Sequence, residues 1–142
     1  MSTPVTIGFD IGGTNMRAGA ITEAGNIIDS TATEAPHDAD ELQEGIVRIV
    51  NKFRADHCIG AVGLAIAGFL DPDCEIVRFA PHLPWRDRHA RAELQAALGV
   101  PVRLEHDANA AAWGEYKFGG AQGHDNWVLF ALGTGIGATL MQ

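Results

Sequence analysis

Positive charge is scarce in this chain: 10 Lys and Arg stand against 18 Asp and Glu, a formal net charge of -8 over 142 residues. A field of that sign repels phosphate polyanions and excludes a protein that coats DNA or RNA non-specifically. Cysteine is scarcer still. Cys58 and Cys74 lie sixteen residues apart in no C-x-x-C pair, too few for a disulfide framework and without metal-ligand spacing. Both are expected as reduced, packed thiols, and no zinc site is expected among these residues. Long apolar runs are missing too. The longest, Ala61 to Leu70, is too short to span a bilayer, and Met1 to Val5 lacks the basic segment and apolar core of a signal peptide. A cytoplasmic protein that engages no membrane is the expectation. No repeat, low-complexity tract or linker interrupts the chain, so one domain is expected. Its 46% hydrophobic and 20% charged residues suit an ordinary globular core.

What is present has a clear period. Short β-like runs at Thr6–Ile11, Met16–Ile21 and Ile27–Thr33, separated by Gly-rich or Gly-Asn turns, suggest an opening three-stranded meander. From Asp38 to about His57 the spacing of Leu42, Ile46, Ile49, Val50 and Phe53 predicts an amphipathic helix, with Asp38 as N-cap and Glu41 completing a capping-box-like pair. Ala61–Ala67 reads as a strand buried on both faces. Gly68 to Asp87, with Pro72, Pro81 and Pro84, reads as a long irregular stretch with one hairpin arm at Glu75–Phe79. A helix over Asp87–Leu98 ending at Gly99, a strand at Val102–Glu105 and an Ala-rich helix over Ala108–Phe118 follow. Trp127–Leu132, a glycine turn and Ala138–Met141 close the chain as two strands. A strand meander followed by alternating helices and strands makes an α/β domain, a mixed sheet with flanking helices.

Three places hold candidate chemistry. In Phe9-Asp10-Ile11-Gly12-Gly13-Thr14-Asn15 an acidic residue ends a strand and a Gly-Gly turn follows. Glycines allow positive φ and leave room for backbone N–H groups and the Thr14 hydroxyl to face an anion, while Asp10 suits a Mg²⁺ beside a phosphate, directly or through water. A plain hairpin turn is the competing reading. Neither a P-loop nor a G-x-G-x-x-G fingerprint is present. Gly133-Thr134-Gly135-Ile136-Gly137 repeats the composition at another strand-turn-strand junction, open to the same two readings. The third place is Glu105-His106-Asp107-Ala108-Asn109, at a strand-to-helix junction. Asp107 there is either a helix cap or a base at the carboxyl edge of the sheet, where α/β domains bind ligands. Glu105 is expected to point away as a sheet or loop contact. His37, His57, His89 and His124 read as surface residues, whereas His82 and His106 lie beside the candidate motifs. Trp85, Trp113 and Trp127 read as packing residues.

Together these motifs resemble the ROK family of bacterial sugar kinases, and within it the glucokinases of actinobacterial type. The resemblance runs in order through Asp10–Asn15, Ala65–Gly68 with Phe79–Asp87, Glu105–Ala110 and Leu132–Gly137. It implies an actin-like, ribonuclease-H-type fold of two domains with ATP and sugar in the cleft between them. This chain would be the N-terminal domain only, residues 1–142. Asp107 would take the proton of the glucose 6-hydroxyl; Gly68, His82, His106 and Asp107 would hold the sugar. Asp10, Gly12, Gly13, Thr14, Asn15, Gly133, Thr134 and Gly135 would surround the ATP phosphates and Mg²⁺, with Asp10 reaching the metal through water. His82 and His106 depart from the asparagines common in the family.

The resemblance leaves other readings open: a kinase for fructose, N-acetylmannosamine or N-acetylglucosamine, a non-catalytic sugar- or nucleotide-binding fragment, or a domain of the family's repressors. Seven residues precede Gly8, too few for a helix-turn-helix, so no nucleic-acid partner is expected. The family's remaining sugar ligands and zinc motif would follow Gln142, so this chain alone is expected to have little kinase activity. A parent that forms a dimer or tetramer is implied. An acidic protein handling ATP would rely on backbone N–H groups and Mg²⁺ rather than a basic patch.

Overall fold

The computed structural model describes residues 3–132 and 136–141. Three strands open the chain, β1 (Val5–Ile11), β2 (Asn15–Ile21) and β3 (Ile27–Glu34), as an antiparallel meander. Helix α1 (Ala39–Arg54) follows, then β4 (Ile59–Ile66). Three very short strands come next, β5 (Phe69–Leu70), β6 (Val77–Phe79) and β7 (Arg86–Arg88), then α2 (Ala90–Leu98). Strand β8 (Val102–His106), helix α3 (Asp107–Phe118) and the hairpin β9 (Trp127–Leu132) and β10 (Ile136–Met141) complete it. The main sheet has the order β3-β2-β1-β4-β8, with β1, β4 and β8 parallel.

Helix α1 begins where expected, because the Asp38 carboxylate accepts the N–H groups of Asp40 and Glu41, both at 3.1 Å. The reciprocal bond from the Glu41 side chain is not made. Leu42, Ile46, Val50 and Phe53 of α1 recur at helical spacing and are buried against Ile7, Phe9 and Ile11 of β1 and Val62, Leu64 and Ile66 of β4. Each such side chain contributes about 1.5–3 kcal/mol when fully buried. Leu94 and Leu98 of α2 join the same core. Helix α3 packs on β4 and β8 with Ala108 and Ala112, which are buried but stand outside that cluster.

Several expectations need correction. Strand β4 is buried on one face only: Val62, Leu64 and Ile66 are covered, but Ala61, Gly63 and Ala65 are half-buried, and a Cβ at Gly63 would meet nothing within 4 Å. The stretch 68–87 is largely irregular with an arm at β6, as expected, but β5 and β7 pair with that arm into a small antiparallel sheet that the sequence did not show. Asp87 belongs to that sheet with φ of 45°, which a helix cannot accommodate, so α2 starts three residues later. Cys58 is exposed rather than packed, while Cys74 is half-buried; both are free thiols. His57 is no idle surface residue either: its Nε2 lies 3.1 Å from Asp29 Oδ2, tying the end of α1 to β3.

The small sheet and its flanks form a platform fixed on several sides. Trp85 is fully buried and its Nε1 donates to the Ala39 carbonyl at 3.1 Å. Arg88 reaches Asp40 and Gln43 of α1 at 2.9 Å and Glu93 of α2 at 2.7 Å. These anchors set residues 80–85 against the carboxyl ends of β1 and β4. Trp113 is instead half-exposed, edge-on to Tyr116.

Candidate active site

Parallel pairing aligns the ends of three strands. Asp10 of β1 is in register with Ala65 of β4, and Ala65 with Glu105 of β8; one step on, Ile11, Ile66 and His106 form the next row. Adjacent strands lie about 4.8 Å apart, so the ends of β1 and β8 are separated by roughly 10 Å. The first glycine turn leaves β1 on one side of this gap. Asp107, the first residue of α3, leaves β8 on the other.

At the β1 end, the Asp10 carboxylate is exposed and makes no hydrogen bond or ion pair among the described residues, although Arg17 sits opposite it on β2. Gly12 N–H donates to the Asn15 carbonyl at 3.0 Å, which closes the turn. The N–H groups of Gly13 and Thr14 have no partner among the described residues, and Thr14 and Asn15 are exposed. This is a donor-rich corner beside an unpaired carboxylate. Mg²⁺ typically keeps several waters and takes one or two carboxylates plus phosphate oxygens, a demand that Asp10 with water can meet. No group of three or more His, Cys, Asp or Glu side chains gathers for a metal among the described residues.

The reason for the glycines differs from the expected one. Neither Gly12 nor Gly13 has a positive φ. Gly13 is glycine because the loop carrying His82 presses on it: a Cβ there would lie 2.5 Å from His82 Cβ and 3.1 Å from its carbonyl oxygen. Gly68 is buried for a similar reason, since a Cβ would come within 2.8 Å of the Phe79 carbonyl oxygen and 2.9 Å of Ala80 Cβ. Gly68, His82 and the Gly12–Gly13 turn are thereby one packed unit.

At the β8 end, Asp107 is not the N-cap of α3. That position is His106, whose side chain makes no capping bond. Asp107 Oδ1 accepts only the N–H of Ala108, its own neighbour, at 2.8 Å, and lies 3.3 Å from His106 Nδ1. Oδ2 has no hydrogen-bond partner among the described residues, and the Asp107 side chain is 44% exposed. The carboxylate is thus presented to solvent with one oxygen free. Glu105, expected as a sheet or loop contact pointing away from Asp107, makes contacts of that kind at this corner: its Oε1 accepts His106 N–H at 3.0 Å and lies 3.4 Å from Asn109 Nδ2. Asn109 in turn accepts from Thr139 of β10. Nothing local announces Thr139. Burial first, and the Glu105 charge second, push the Cys74 thiol above its ordinary value.

Gly133, Thr134 and Gly135 lie outside the described residues, between β9 and β10. A groove of about 600 Å³ runs over β1, β2 and β3, lined by Gly8, Gly19, Ile21 and Ile27, and meets the candidate site only through Asp10 and Arg17.

Strands, glycine turn and terminal aspartate together agree with a known family, whose sequence profile matches residues 6–142 and is described as ROK family. The chain belongs to the ROK family. A glucokinase of Streptomyces coelicolor is 42% identical over 137 residues, covering 96% of this chain and 43% of the relative. The ROK chain therefore spans less than half the length of that relative. A crystal structure of a ROK family glucokinase from Streptomyces griseus, in complex with glucose and AMPPNP, superposes with a TM-score of 0.89 at 40% identity over 96% of this chain and 44% of the other. A xylose repressor of Bacillus subtilis is 42% identical over 76 residues, 54% of this chain and 20% of the repressor. The fold is the actin-like, mixed α/β fold of ROK sugar kinases. No helix among the described residues is long and apolar enough to cross a membrane.

Proposed function

We propose that this chain is the N-terminal domain of a cytoplasmic glucokinase, which transfers the γ-phosphoryl group of ATP to the 6-hydroxyl of glucose. Catalysis would occur in a cleft completed by a second domain beyond residue 142. The observation that carries the proposal is Asp107: a carboxylate with a free Oδ2 at the carboxyl end of β8, across a gap of roughly 10 Å from an anion-ready turn. Similarity to glucokinases over 96% of the chain supports the same reading.

Phosphoryl transfer asks the protein for positioning and charge stabilisation more than for covalent chemistry. A carboxylate is far too weak a base to deprotonate an alcohol in advance. Asp107 Oδ2 orients the hydroxyl, then accepts its proton as the new O–P bond forms and the bond to ADP breaks. Oδ1, held by Ala108 N–H, fixes the direction in which Oδ2 points. The N–H groups of Gly13 and Thr14 and the Thr14 hydroxyl hold phosphate oxygens, and Gly133 to Gly135 would approach from the other glycine turn. Asp10 and its waters would hold Mg²⁺, which when bound neutralises charge on the phosphates. Gly68, His82 and His106 would hold the sugar hydroxyls. Assembly of the complete protein into a dimer or tetramer belongs to the same proposal.

The xylose repressor similarity favours a second reading, a sugar-sensing domain without turnover. One experiment separates them. The 142-residue chain is joined to the part of the Streptomyces coelicolor glucokinase that it does not match, and the completed enzyme is given Mg-ATP with glucose, fructose, N-acetylmannosamine or N-acetylglucosamine. Preferential phosphorylation of glucose supports the glucokinase reading; binding of sugar without phosphorylation of any of them supports the repressor-like one.

A further inference from the structure

A second turn, Ala80 to Leu83, lands on the first glycine turn. It is closed by Leu83 N–H donating to the Ala80 carbonyl at 3.2 Å, with Pro81 and His82 at its tip and Ala80 and Leu83 buried beneath. Pro81 occupies the position of such a turn to which its fixed φ is suited, so the tip is stiff. The tip carries His82 onto Gly13: a Cβ at Gly13 would lie 2.5 Å from His82 Cβ and 3.4 Å from Cγ, where the imidazole begins. A side chain swings only between a few staggered rotamers, and with its root against Gly13 the ring of His82 stays beside the turn.

Two sets of polar groups meet there without partners. The N–H groups of Gly13 and Thr14 make no hydrogen bond among the described residues, and neither does the exposed ring of His82. No residue from Ile11 to Asn15 is basic, and the neighbouring Asp10 carboxylate repels an anion. Two backbone donors alone leave that repulsion uncompensated. An imidazole carries at least one N–H in either protonation state, so His82 brings a third donor to the turn, and a positive charge when protonated.

We propose that His82 is a phosphate-binding residue of the first glycine turn: its ring N–H donates to the same anion that the Gly13 and Thr14 N–H groups hold. The inference deepens the glucokinase reading and rests on it for the identity of the anion, the phosphate chain of the nucleotide, but not for the binding itself. It adds to the sugar contact given to His82 above. A neutral imidazole has one N–H and one accepting nitrogen, so a phosphate oxygen and a sugar hydroxyl can share the ring.

Two measurements test it. The first uses the 142-residue chain with sodium tripolyphosphate as the probe and needs no activity: amide and imidazole NMR resonances are followed through a titration at constant ionic strength. The unsubstituted chain should show saturable shifts of the Gly13 and Thr14 N–H groups and of the His82 ring. H82L keeps a Cβ and Cγ to pack on Gly13 but has no donor; it should bind on the order of 10- to 100-fold more weakly, which is what one hydrogen bond to a charged group contributes. H82N keeps an N–H donor and should recover most of that loss. Binding by H82L as tight as by the unsubstituted chain overturns the proposal. So does a His82 ring that does not shift, a result read on the unsubstituted chain that needs no variant to fold. The second measurement uses the enzyme completed as above. H82L is expected to raise KM for ATP by about 10-fold or more, and H82N to regain most of the difference. A rise in KM for glucose with KM for ATP unchanged overturns the phosphate role and leaves His82 a sugar ligand only. Absence of glucose phosphorylation in the unsubstituted enzyme overturns the glucokinase reading instead, and the tripolyphosphate titration still decides the role of His82.

Discussion

Alanine at position 13 would place a methyl carbon 2.5 Å from His82 Cβ. Carbon atoms in contact prefer about 3.5–4.0 Å, so one of the two segments must retreat by roughly 1 Å or more. Neither moves cheaply. The His82 loop is pinned by buried Ala80 and Leu83 and by Trp85, which is 0% exposed and bonded to Ala39. The turn is closed by the Gly12 to Asn15 bond. Overpacking of this kind costs about 1–3 kcal/mol. With a urea m-value of about 1–3 kcal/mol per molar, the denaturation midpoint should fall by on the order of 1 M. Gly63→Ala is the control, because its Cβ meets nothing within 4 Å and the loss of backbone freedom in the unfolded chain should leave it neutral or slightly stabilised. G13A combined with H82G removes the nearest clashing atom and should regain part of the loss; the His82 carbonyl at 3.1 Å prevents full recovery. If G13A unfolds at the same urea concentration as G63A, the packing of turn on loop is wrong.

Other consequences can be checked on the same chain. Cys58 is exposed, whereas Cys74 is half-buried with its thiol pushed up first by burial and then by Glu105, so iodoacetamide near neutral pH should label Cys58 well before Cys74; peptide mass mapping showing the reverse order would contradict the burial assigned to Cys74. The Asp71 carboxyl is held below its ordinary 3.8, chiefly by the Ile76 N–H at 2.8 Å, with Glu75 N–H also helping against a desolvation that opposes it. Its folded value being depressed, its stabilising effect is complete above the unfolded value and is lost as pH falls below about 4. Asp71→Asn should accordingly flatten the acid limb of a stability-against-pH curve, and an unchanged limb would remove Asp71 from the account. Gly99 closes α2 with φ of 71°, so Gly99→Ala should cost about 1 kcal/mol in thermal or urea unfolding even though its Cβ has open space.

Local chemistry made much of the fold legible. Asp38 announces α1, Gly99 ends α2, and the alternation in β1 to β3 marks the meander, because each signal acts within a few residues. Of the small sheet only the arm at Glu75–Phe79 was legible, and β5 and β7 escaped since strands of two or three residues carry no period. Asp87 escaped with them, its φ of 45° being imposed by pairing rather than by side-chain type. At the site, Asp10 and Asp107 could be found from motif and position. The reason for Gly13 could not, as it depends on a residue 69 positions away reaching the same corner. Thr139 was invisible for the same cause: its bond to Asn109 spans 30 residues and exists only once the hairpin is docked.

The central claim is that Asp107 serves as a base rather than as a helix cap, and substituting it in the completed enzyme tests that most directly. D107N keeps the size of the side chain and can retain the Oδ1 contact to Ala108 N–H, but it cannot take the proton. Glucose phosphorylation followed with saturating Mg-ATP should fall by about 10²–10⁴-fold in kcat, while glucose binding measured by calorimetry weakens only a few fold. Turnover of glucose by D107N at the unsubstituted rate would contradict the account and return Asp107 to a structural role at the start of α3.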